Sequence, residues 1–295
     1  MTVQNGEGSD HQGIFGTPEE PLFSSTRCRD FPEILQEWLI SLATRNVDDI
    51  QHANDAQVKF FAIELFDRFM HKHIADLYEH VYTSSSPPAQ KQSDWRGILE
   101  RVQKQLVLRV VSCCQIASKL NSHYKVITVA RAKRFLLEVG HNYSSNSILQ
   151  SELRVLKTLD FRVTVLSPLD YVETLLQVLA HNTVSLDLPV AVYQSVSVKL
   201  LTVLYLRCEH LYTSLLRMST HAGFSSQLRC RVSEVQADKL LMGASVIAAS
   251  VYIADQQHTD TVITHLHRIT QVAREDIEEF VTSLVHEVHT APDPQ

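Results

Sequence analysis

Apolar side chains recur at three- and four-residue intervals along most of this chain, the spacing that lines one face of an α-helix. In Phe31 to Arg45, Ile34, Leu35, Trp38, Leu39 and Leu42 keep that spacing, and Asp30 and Pro32 are start signals. A second helix is expected from about Ala56 to Tyr78, carrying Phe60, Ile63, Leu65, Phe66, Phe69 and Met70. Residues 83–93, TSSSPPAQKQS, break the pattern and predict a mobile loop longer than most helix–helix connections. The next helix is expected over about 98–120; from Leu106 onward it is apolar around most of its circumference, which makes it central and buried. A helix over about 128–139 follows, with Gly140 placed as its left-handed C-terminal residue. Ser147, with Gln150 three residues on, predicts a capping box that starts a helix ending near Leu159. An extended link, Phe161 to Leu166, leads to Ser167-Pro168, an N-cap followed by proline at the first helical position.

The second half repeats this layout more loosely, with helices at about 168–180, 188–207, 209–219, 237–254, 260–268 and 274–289 and a polar loop over 220–236. Cys113-Cys114-Gln115-Ile116-Ala117-Ser118 and Ala244-Ser245-Val246-Ile247-Ala248-Ala249 are counterparts rich in small residues, which let neighbouring helices approach closely. Two five-helix units joined at about Leu166 account for the correspondence. The expected organisation is a disordered segment at 1–27, a first helical domain at 28–166 containing the loop at 83–93, and a second at 167–290.

Composition supports an all-α fold. The 295 residues are 44% hydrophobic, with 8 Gly and 9 Pro, too few turn residues for an all-β chain. The Val/Ile-rich runs of a parallel sheet are absent. A net charge of −6, from 27 basic and 33 acidic residues, argues against a dedicated nucleic-acid binder, although it leaves room for a local patch. Met1 to Glu20 is polar and does not read as a signal peptide. The longest apolar run, Leu240 to Ala254, is too short to span a bilayer, so no membrane partner is expected. Cys28, Cys113, Cys114, Cys208 and Cys230 are odd in number, lack a Cys-x-x-Cys, and read as reduced thiols of a soluble intracellular protein.

Two side chains stand out against the pattern. Glu152 falls within the apolar stripe made by Leu149, Leu153, Leu156 and Leu159, so its carboxylate is paired, at an edge, or facing a partner. Lys119 ends the central apolar helix, on the narrow polar side near Gln115; it either complements the helix dipole or bridges to Glu152 and to a partner's carbonyls. His71-x-His73 and His265-x-His267 place each pair about 200° apart on a helix, which cannot close on one ion, and His286 and His289 have no supporting ligands. No phosphate loop, nucleophile elbow or zinc-protease motif occurs, so neither catalysis nor a cofactor is expected. Thr17-Pro18 and Ser86-Pro87 have the form of proline-directed phosphorylation sites, a common dipeptide.

Ala117-Ser118-Lys119-Leu120 resembles the end of the third helix of the cyclin box, and Glu152-Leu153-Arg154-Val155-Leu156-Lys157-Thr158-Leu159-Asp160-Phe161 resembles its fifth helix. Asp67-Arg68-Phe69-Met70 and Ile34-Leu35-Gln36-Glu37-Trp38-Leu39 are similar to stretches of the second and first. On these motifs the chain is identified as a member of the cyclin family, well over residues 30–165 and loosely beyond. The resemblance implies a non-catalytic regulator that binds protein partners, with Lys119 and Glu152 as the pair that grips a cyclin-dependent kinase. Leu106 to Leu120 and Leu149 to Leu179 are most similar to a meiotic member, which implies a nuclear factor on meiotic chromosomes, with a cytoplasmic pool allowed. It would act with meiotic crossover factors to mature recombination intermediates into crossovers. The alternative implied by the same fold is a module contacting nucleic acid directly, as general transcription factors do. Two departures matter: Leu120-Asn121-Ser122 replaces the acidic residues that usually follow the lysine, and Phe31-Pro32-Glu33-Ile34-Leu35 replaces the substrate-docking sequence of cell-cycle cyclins.

Overall fold

A computed structural model describes residues 52–85, 87–121, 126–164, 166–183, 188–219 and 238–290. The helix expected at 31–45, the segment 1–27 and the loop at 220–236 lie outside the described residues, as do Thr17 and Ser86. Among the described residues the fold is all-α, with no strand. The helices are α1 (His52–Tyr82), α2 (Pro88–Lys104), α3 (Leu106–Asn121), α4 (Val129–Glu138), α5 (Ser145–Thr158), α6 (Pro168–Asn182), α7 (Val190–Leu206), α8 (Cys208–Ser219), α9 (Lys239–Ala254), α10 (Thr259–Thr270) and α11 (Arg274–Thr290). A short 3-10 turn, Gln256–His258, joins α9 to α10.

Two helices are central for the same reason. In α3 every residue from Val110 to Ala117 is buried, and α1, α2, α4 and α5 pack around it. In α9 every residue from Leu241 to Val251 is buried, surrounded by α6, α7, α10 and α11. Small side chains set the approach distances. At Gly243 an added Cβ would lie 3.0 Å from the Cβ of Tyr171, so glycine is what lets α6 and α9 come this close.

The chain between α1 and α3 departs from expectation. Residues 88–93 of the predicted loop are the first turns of α2, which Pro88 opens at a position where its missing N–H costs nothing. The helix expected over 98–120 is broken at Gln105, which separates α2 from α3. Helix α2 has no fully buried residue, which explains why it lacks a strong apolar stripe, yet it is anchored. Trp95 meets the ring of Tyr78 edge-on at 5.3 Å, and Lys91 donates to the Tyr82 carbonyl at 2.9 Å.

Several local signals are realised. Gly140 adopts φ 84°, and His141 N–H donates to the Leu136 carbonyl at 2.7 Å, closing α4. Ser167 and Asp170 form a capping box at α6. Helix α5 starts two residues earlier than expected: Ser144, not Ser147, is the N-cap, and its hydroxyl accepts from the Ser147 N–H. The link after α5 is not extended at its start. Asp160 and Phe161 are left-handed (φ 52° and 57°), because the chain turns back as Phe161 N–H donates to the Leu156 carbonyl at 2.8 Å. Lys72 of α1 pairs with Asp160 and holds this turn.

Polar contacts tie α1 to the helices around α9. Gln57 donates to Glu173 at 2.7 Å, and Lys59 donates to the Thr202 hydroxyl at 2.9 Å. Glu64 accepts from the Tyr205 hydroxyl at 2.7 Å and pairs with Lys239, which also donates to the Leu166 carbonyl at 3.1 Å. Burial lowers the Lys59 ammonium from 10.5 to about 8, since its bonded neighbour is a neutral hydroxyl. Between those values the unfolded chain binds more protons than the folded one, so this residue makes stability rise as pH climbs from about 8 to 10.5. Replacing Lys59 with Met is therefore expected to raise the melting temperature at neutral pH and to flatten that rise. Parallel wild-type and variant curves from pH 7 to 10 would show that the folded ammonium is well solvated.

Candidate partner-binding site

Helices α3 and α5 bring the two sequence-predicted residues together. Lys119 lies in the last turn of α3, and its Nζ donates to Oε1 of Glu152 on α5. The pair is asymmetric: the lysine side chain is 43% exposed and the glutamate 10%. The carboxylate therefore sits in the protein, while the ammonium retains free donors at the surface. That arrangement leaves Lys119 able to reach a partner's carbonyl oxygens while remaining fixed by Glu152.

The local sequence explains the placement. Ser118, beside Lys119, is buried; its hydroxyl donates to the Gln115 carbonyl at 2.9 Å and accepts from the Ile127 N–H at 3.0 Å. These bonds fix the end of α3 and the chain leading into α4. Gln115 does not mark a solvent-facing side as its polarity suggested; it is fully buried, and its amide donates to the Ile127 carbonyl at 3.4 Å.

Helix α5 is rotated from the expected register. Its buried residues are Ile148, Ser151, Glu152 and Val155, whereas Leu149 is exposed and Leu153 and Leu156 are half-buried. Serines set this register. Ser112 of α3 donates to the Ser151 hydroxyl at 2.7 Å, and Arg109 donates to the same oxygen at 2.7 Å. A serine at the closest approach to α3 is a signal that an apolar-stripe reading passes over, because its benefit is a hydrogen bond across helices rather than buried carbon.

Other candidates separate from this site. His73 stacks on Phe69 at 5.0 Å; burial, then the charges of Arg109 and Arg154, lower it to about 4, partly opposed by Asp76. His267 Nδ1 lies 2.6 Å from the Val272 carbonyl. Among the described residues no three His, Cys, Asp or Glu side chains are grouped to hold a metal ion, and no helix is long and apolar enough to cross a membrane. Cys113, Cys114 and Cys208 are buried free thiols, and burial pushes the first two well above the usual thiol range; Cys28 and Cys230 lie outside the described residues.

A model of the cyclin N-terminal domain matches residues 26–164, the part of the chain that contains α1 to α5 and the Lys119–Glu152 pair. Cyclin N-terminal domain-containing protein 1 of Mus musculus is 33% identical over 277 residues, covering 92% of this chain and 78% of the relative. The chain belongs to the cyclin family. The human protein of the same name is 34% identical over 227 residues, covering 77% of this chain and 68% of its own length. The family is generally regulatory and works by protein–protein interaction. For this cyclin-family chain, the similarity extends well past the domain match into the helices around α9.

Proposed function

We propose that this chain is a non-catalytic regulatory subunit that grips a cyclin-dependent kinase through the face around Lys119 and Glu152. Its cellular role, on this reading, is in meiotic nuclei, on chromosomes, promoting the maturation of recombination intermediates into crossovers alongside other crossover factors. The observation that carries the first part is the asymmetric pair itself. A carboxylate sequestered at 10% exposure holds a lysine that is nearly half exposed, so a cation is fixed in orientation at the surface where the family resemblance expects a kinase contact. The meiotic part is supported by the resemblance of Leu106–Leu120 and Leu149–Leu179 to a meiotic member.

The surface around the pair differs in chemistry from that of cell-cycle cyclins. Leu120, exposed, follows the lysine where an aromatic and then acidic residues are usual, and Leu149 is exposed one turn before Glu152. A partner on this face would meet more apolar and less acidic surface. Affinity capture from meiotic cells with the full chain, compared with Glu152→Ala, tests the reading. A kinase recovered with the first and lost with the second supports it. Capture that ignores the substitution places the partner elsewhere.

A further inference from the structure

Charge is unevenly distributed along this chain. Residues 52–164 contain 16 Lys and Arg against 10 Asp and Glu, a formal +6, whereas residues 1–51 and 165–295 each carry −6. Several of the acids in the positive stretch are already engaged: Glu64 with Lys239, Glu152 with Lys119, and Asp160 with Lys72.

One part of this basic stretch is concentrated by the fold. Arg109 emerges at the break between α2 and α3, half-buried, and all its bonds go to neutral oxygens: the Ser151 hydroxyl at 2.7 Å, the Ser151 carbonyl at 3.5 Å and the Gln105 amide oxygen at 2.7 Å. Lys104 is next to this break, and its carbonyl accepts from the Tyr143 hydroxyl at 3.2 Å. Arg154 lies one turn after Ser151 on α5; it is exposed and its side chain makes no hydrogen bond or ion pair among the described residues. Arg109 is held below its ordinary pKa by burial first and by Arg154 second, which shows that the two guanidinium groups feel each other. Asp76, on α1, is the carboxylate that reaches the neighbouring His73. A half-buried guanidinium with no carboxylate beside it among the described residues, next to a second one unpaired among them, is costly until an anion arrives.

We propose that the α2–α3 break and the exposed side of α5, through Lys104, Arg109 and Arg154, form a docking site for a phosphorylated segment of a partner protein. The two guanidinium groups suit the bidentate recognition of a phosphate dianion, and Lys104 adds an exposed cation at the neighbouring end of α2. A phosphopeptide fits better than nucleic acid because the site offers only three cations and the remainder of the chain is acidic, which would repel a long polyanion. The site stands apart from the proposed kinase face, since Arg154 is about 200° around α5 from Glu152. It therefore neither needs nor excludes that reading.

The test uses the full chain and a fluorescent degenerate peptide pool with a central phosphoserine or phosphothreonine, read by anisotropy. Binding is expected to fall about tenfold or more after phosphatase treatment of the pool, and by a similar factor in Arg154→Glu, as for loss of one charge-assisted hydrogen bond. Arg154→Lys should keep much of the affinity. If Arg154→Glu does not fold, Lys104→Glu, also at an exposed side chain, takes its place. No binding, equal binding of the dephosphorylated pool, or charge-reversed variants that bind like the wild type would overturn the proposal. So would a short DNA duplex that binds more tightly than the pool and displaces it.

Discussion

The Glu152→Ala chain is expected to bind the proposed kinase partner more weakly by about 2–5 kcal/mol while losing much less folding stability. The carboxylate is 10% exposed and is the group that orients Lys119. Without it the ammonium is free to sample water, and the cation that the partner meets is no longer fixed. The fold loses less because Lys119, 43% exposed, regains hydration when released, and because Ser151 and Ser112 still lock α5 to α3. The discriminating pair of measurements is the melting temperature of the variant alone and its affinity for the recovered partner. A sharply lower melting temperature with unchanged binding would make Glu152 a structural residue. Unchanged values of both would leave this face unused, and the helices from Pro168 to Thr290 would become the place to look.

The largest effect on stability is expected at Glu64. It connects α1 to α7 through Tyr205 and to α9 through Lys239. Glu64→Ala takes the acceptor away from both partners at once, leaving a Lys239 side chain that is only 24% exposed and a half-buried phenol without its acceptor. Removing one partner of a buried pair costs about 3–5 kcal/mol; Lys239 keeps the Leu166 carbonyl as a second acceptor, which places the expected loss toward the lower end. Glu64→Gln should recover a substantial part, since the amide oxygen can still accept from Tyr205. Denaturant melts of the two variants decide the matter: equal losses would mean that the charge pair with Lys239 on α9, not the hydrogen bond from Tyr205 on α7, carries the effect. The raised pKa of Tyr205, caused first by burial and then by the Glu64 charge, fits a phenol that serves as donor throughout the neutral range.

Local chemistry was legible at several places where the deciding interaction spans only a few residues, though not at the start of α5, where Ser144 rather than Ser147 is the cap. The N-cap at Ser167, the left-handed Gly140 and the small-residue runs that make α3 and α9 central were visible in sequence, because each depends on neighbours within one or two turns. The all-α class and the family were legible too, since periodicity and the Lys119 and Glu152 motifs survive in the string.

Elsewhere a weak local signal was outweighed by contacts between distant residues. TSSSPPAQKQS reads as loop, yet α2 begins at Pro88 because Trp95 can dock against Tyr78, a contact outside any local window. The stripe Leu149, Leu153, Leu156, Leu159 is the most apolar face of α5, but Ser151 faces α3 and Leu149 faces solvent. Hydrogen bonds from Ser112 and Arg109 to Ser151 set that register, and they join residues 39 and 42 positions apart. By itself, then, the sequence determined which segments are helical outside the chain between α1 and α3, which two are central and which pair of charges to examine. The tertiary structure decided how each helix is rotated and which cations are left without a counter-charge, because both depend on side chains that only folding brings within hydrogen-bonding distance.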